Sequence, residues 1–127
     1  MKWSSESMHI ELTDEDIAIV TPTSNFKGPE TIQEARENVI LLNEAVQKGG
    51  IAALIYLPTH YVNAEATRYY KTYAPNLPAA LIADSFFKRM IGNFLLPLAN
   101  PQRPIKLFSN REEALAWLKV TLAHIEA

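Results

Sequence analysis

The sequence predicts an α/β fold: an N-terminal β-hairpin followed by a β/α superhelix in the order β-β-α-β-α-β-α-β-α, with a mostly parallel five-stranded sheet covered by helices. Three observations carry this. Two short β-branched runs flank a polar turn near the N-terminus. Two later apolar runs, "IAALIYL" and "AALIAD", lack the alternation of a one-sided strand and read as strands covered on both faces. Around them, apolar residues recur at helical spacing.

Each element has its own local reason. "MHIEL" (8–12) and "IAIVTP" (17–22) pair as a hairpin across the turn-forming "TDED", and "SNFKGP" breaks the pattern. Pro29 suits a helix's first turn, with Glu30 at the positive end of the dipole. Ile32, Ala35, Val39, Leu42 and Val46 give that helix one apolar stripe, and "KGG" (48–50) closes it with a glycine C-cap. The strand at 51–57 ends before Pro58. Asn63 is placed to cap a helix through "AEATRYYKTY", and "APNLP" stops it. The strand at 79–84 leads into a third helix, 85–98. Its Phe86, Phe87, Met90, Ile91, Phe94, Leu95 and Leu98 span about half the circumference, and Pro97 ends or kinks it. "IKLF" (105–108) is the last strand. Ser109 and Glu112 match a capping box, and Ala114, Leu115, Leu118, Leu122 and Ile125 form the last stripe.

Composition narrows the function classes. The chain of 127 residues is one domain's length, and its 48% hydrophobic and 20% charged residues suit a packed core. It has no cysteine, which excludes disulfides, thiol catalysis and zinc–thiolate sites and fits a reducing compartment. The net charge of −2 comes without a Lys/Arg-rich run, so nucleic acid is not an expected partner. The N-terminus turns acidic before any apolar core of a signal peptide, and "MIGNFLLPLA" is too short to span a bilayer. A cytoplasmic protein without integral membrane association is expected.

Reactive side chains concentrate in "IYLPTHYVNAEATRYY" (55–70), just beyond the carboxyl end of a covered strand, where α/β proteins bind ligands. Thr59, His60 and Tyr61 are the candidate contacts there, with Arg68 on the helix that follows. Thr59 and His60 point apart on an extended segment, so they make a poor nucleophile–base pair. His9 and His124 share no metal-ligand spacing with it, and Glu34/Glu37 and Glu112/Glu113 read as solvated carboxylates. No metal or cofactor is expected. The third helix carries a wider apolar arc than a helix on a sheet needs. Phe87, Ile91 and Leu95 are its candidate contacts with a second copy, a protein partner or an apolar small molecule. Of the tyrosines in "RYYKTY", Tyr69 and Tyr73 share one helix face and Tyr70 lies beside it.

The segment "NAEATRYYKTYAPNLPAALIADSFFKRMIGNFLLPLANPQRPIKLFSNREEALAWL" resembles the small bacterial SpoIIAA-like proteins, relatives of STAS domains that include STAS/CRAL-TRIO-like proteins of unknown function. The shared features are the helix with Glu65, Ala66 and Arg68, the "IGNF" of the third helix, the strand from Pro104 to Phe108, and the closing "EEALAWL". The resemblance covers about residues 8–122 and is tightest over 79–118. It implies a single SpoIIAA-like domain and a non-enzymatic binding or regulatory role, through self-association or a protein partner. The alternative it implies is a carrier with a CRAL-TRIO-like pocket for a lipid or other apolar ligand. The Asp-x-Ser-Gly-like phosphorylation motif of STAS antagonists is missing from "LPTHYVNAEA", so that switch does not carry over.

Overall fold

A computed structural model describes residues 1–83 and 103–126. The described elements are β1 (Lys2–Ser4), β2 (Met8–Leu12), β3 (Ile17–Pro22), α1 (Ile32–Gln47), β4 (Ala52–Tyr56), α2 (Ala64–Tyr73), β5 (Ala79–Ile82), β6 (Ile105–Phe108) and α3 (Arg111–Glu126). The expected helix at 85–98 lies outside the described residues.

All the described strands form one sheet in the order β1-β2-β3-β4-β5-β6. β1, β2 and β3 pair antiparallel, and β3 to β6 pair in parallel. The mixed α/β architecture and the mostly parallel sheet are as expected; the sheet has six strands, not five. The additional strand, β1, has only three residues and one apolar side chain, Trp3, so it offers no period to detect.

Consecutive parallel strands advance in one direction across the sheet. Crossovers of one hand then put their helices on one face. α1 and α2 accordingly pack against each other. Ala45, Leu41 and Leu42 of α1 meet Ile10, Ala18, Val20 and Ile55 there. α3 covers the opposite face, where Ala114 and Leu118 close over Ile17, Ile19, Ala52, Leu54, Ala80 and Ile82. Beyond α3 the antiparallel part of that face is polar, with Lys2, His9, Glu11 and Thr21 on it.

Local signals act largely as predicted. Thr13 ties the 13–16 turn, its Oγ1 accepting from Ile17 N at 3.2 Å, and Asp16 takes the left-handed conformation that aspartate tolerates (φ 63°). α1 ends in a Schellman arrangement: Gly49 N donates to Val46 O and Gly50 N to Ala45 O, with Gly49 at φ 113°. Asn63 caps α2 through Ala66 N at 2.8 Å.

Three expectations are corrected. α1 starts three residues later than Pro29 suggests: Thr31 is the N-cap in a capping box with Glu34, and Pro29 and Glu30 stand outside the helix. Asn110, not Ser109, supplies the capping side chain of α3, accepting from Glu113 N at 2.9 Å. Ile125, expected in the apolar stripe of α3, is exposed.

Candidate functional site

The loop after β4 is not a plain surface connection. Thr59 and Tyr61 are exposed, Tyr61 at 68%, but His60 between them is only 7% exposed. An extended backbone turns alternate side chains to opposite sides, and here the inward one is the imidazole. Arg68 sits exposed on α2. Phe87, Ile91 and Leu95, and with them the expected dimer or apolar-ligand surface, lie outside the described residues.

His60 is held from behind. Its Nε2 lies 2.6 Å from Glu30 Oε1, and Glu30 is itself buried. The backbone sets this up: Glu30 N donates to Tyr61 O at 2.8 Å and Asn63 N to Glu30 O at 3.0 Å, zipping the approach to α1 onto the loop. Gly28 lets the two segments meet. Its φ is +87°, and a Cβ there would lie 3.1 Å from His60 Cβ. Phe26 packs edge-on against the imidazole, ring centroids 4.9 Å apart.

From Glu30 a chain of hydrogen bonds runs inward. Tyr70 of α2 donates its hydroxyl to Glu30 Oε2. Asn38 of α1 donates one amide hydrogen to Tyr70 Oη and the other to Ser7 Oγ, each at 2.8 Å, while its Oδ1 accepts from Ser5 Oγ at 2.5 Å. Both amide hydrogens and the amide oxygen thereby have partners. Burial, and then the negative charge of Glu30, push the Tyr70 hydroxyl far above the usual tyrosine range. Tyr70 therefore stays a donor. As a carboxylate Glu30 only accepts, so the hydrogen between it and His60 sits on Nε2. Among the described residues, no buried side-chain nitrogen or oxygen lacks a partner.

On its open side His60 borders a cleft of about 300 Å³. Thr59 and His60 form one wall; Thr23, Ser24, Phe26 and Lys27, from the loop after β3, form the other. β3 and β4 are parallel neighbours, so both loops leave the same carboxyl edge. A second hollow, about 400 Å³, lies over the polar part of the sheet beside Lys2, His9 and Arg111. Among the described residues no buried ionisable side chain lines it, and its Lys2–Glu11 pair is exposed. Among the described residues no group of three His, Cys, Asp or Glu side chains is placed to hold a metal. No described helix is long and apolar enough to cross a membrane.

The expected position of the site, beyond the carboxyl end of β4, is where the cleft is. Sequence reasoning missed Glu30, Asn38 and Tyr70. Asn38 left one trace: a polar residue between Ala35 and Ala45 on the buried side of α1. Tyr69 and Tyr73 do share a face, centroids 4.6 Å apart, with Arg36 of α1 over Tyr69.

Residues 58–122 match a protein family described only as a domain of unknown function, DUF7793. That stretch contains His60 and Tyr70 and excludes Glu30, Asn38 and the loop after β3. No curated protein matches the chain. A solved protein of unknown function from Arthrobacter sp. fb24 is similar at 21% identity, over 93% of this chain and 97% of that one, with a TM-score of 0.31.

Proposed function

The chain belongs to the DUF7793 family, a domain of unknown function, and from the geometry of its own residues we propose a non-enzymatic binding module that takes its ligand or partner at the carboxyl edge of β3 and β4. One observation carries the reading: a buried histidine, fixed through one nitrogen by an internal carboxylate, forms the inner wall of a cleft. Burying an ionisable pair costs stability unless every hydrogen bond is made. A plain loop has no need of such a pair. No hydroxyl lies within hydrogen-bond distance of His60 among the described residues other than through Glu30, so the arrangement has an orienting group and a base but no nucleophile. That favours recognition over turnover. A STAS-like relationship is part of the proposal, supported by the run of parallel strands β3 to β6 with α1 and α2 on one face.

Fragment screening by two-dimensional amide NMR on the full chain tests it. Binders are expected to shift the amides of residues 23–27 and 59–61 together, and Thr59→Val, at an exposed position, should weaken them without unfolding the chain. Hits confined to other surfaces would refute the reading.

A further inference from the structure

Resting on that binding-module reading, we infer that the cleft receives an oxyanion, the carboxylate or phosphate end of a small soluble molecule. The first argument is charge. Acidic residues outnumber basic ones in the chain, 14 to 12, yet none of the described residues lining the cleft is a carboxylate. Its charged side chain is Lys27, which has no ion-pair partner among the described residues. Glu30 stands behind the imidazole, engaged by His60 and Tyr70.

The second argument is donor supply. Thr23 gives its hydroxyl to the Glu6 carbonyl. The Ser24 and Thr59 hydroxyls and the Lys27 ammonium have no protein acceptor among the described residues. Hydroxyl and ammonium donors that line one cleft without a protein acceptor suit a ligand that brings oxygens. The volume, about 300 Å³, suits a small molecule, and Phe26 offers an apolar wall for the rest of it.

His60 adds a readout that a merely structural imidazole would not move. Its Nε2 is engaged by Glu30, and Nδ1 has no protein partner among the described residues. A ligand seated in the cleft meets this ring and should shift its side-chain signals together with the amides.

NMR titrations of the full chain with sodium sulfate, sodium acetate and uncharged benzyl alcohol test this. Sulfate or acetate should shift the amides of residues 23–27 and 59–61 and the His60 ring saturably; whichever binds better names the phosphate-like or carboxylate class. Lys27→Met, at an exposed position, should weaken binding about tenfold, while Lys27→Arg restores affinity. If benzyl alcohol alone shifts these signals, or Lys27→Met leaves anion affinity unchanged, the oxyanion assignment falls and the binding module stands. If no probe shifts them, both fall.

Discussion

The sheet face beneath α3 and the junction of α1, α2 and the 58–63 loop are both buried, but they are held by different forces. Beneath α3 the contacts are Ile17, Ile19, Leu54, Ile82, Ala114 and Leu118, with Phe108 and Trp117 at the margin. Such a contact is non-directional and tolerates any filling of similar volume. At the junction, six polar residues from five segments each need one particular partner: Ser5, Ser7, Glu30, Asn38, His60 and Tyr70. One region is defined by volume and the other by hydrogen-bond direction. The second kind of order fixes the orientation of a single imidazole.

Substitutions can break this contrast. The largest effect is expected for Glu30→Ala, which strands His60 and the Tyr70 hydroxyl in a buried position; a loss of about 3–5 kcal/mol should appear in urea denaturation. Leu118→Ala, beneath α3, should cost about 3 kcal/mol, from the lost burial and the cavity left behind. A matched pair sharpens the comparison. Leu54→Met preserves volume and should cost less than about 1.5 kcal/mol, whereas Asn38→Leu, similar in size, should cost about 2–3 kcal/mol because Ser5, Ser7 and Tyr70 lose their partner. Equal costs for these two would show that the junction, too, is held by volume alone.

The smallest effect is on pH dependence. The Tyr70 hydroxyl is raised in the folded state, so above about pH 10 the unfolded chain gives up this proton and the folded chain keeps it. Stability from this group is intact below that pH and is lost as pH rises, by about 1.4 kcal/mol per unit. Tyr70→Phe should cost about 1 kcal/mol at neutral pH and flatten the alkaline decline seen in thermal melts.

The same contrast explains what the chain discloses before it is folded. The apolar face was legible because volume-type contacts repeat: the unalternating runs at 51–57 and 79–84 and the stripe of α3 follow the periods of strand and helix. Asn63 and the Gly49–Gly50 pair were legible because caps act within a few residues. The position of the cleft beside Thr59 and His60 follows from the strand end alone. Its interior was not legible, since Glu30 and Tyr70 are forty positions apart and their bond has no period. Glu30 was also misleading: after Pro29 it reads as a first-turn carboxylate, a role that falls instead to Glu34.

The strand order carries one more consequence. Because every described strand lies beside the strand that precedes it in the chain, the sheet can grow in one direction, each new ribbon docking on an edge that already exists. No later strand has to be inserted between two earlier ones, so the loops that must close stay short relative to the chain and assembly should be rapid for a parallel sheet.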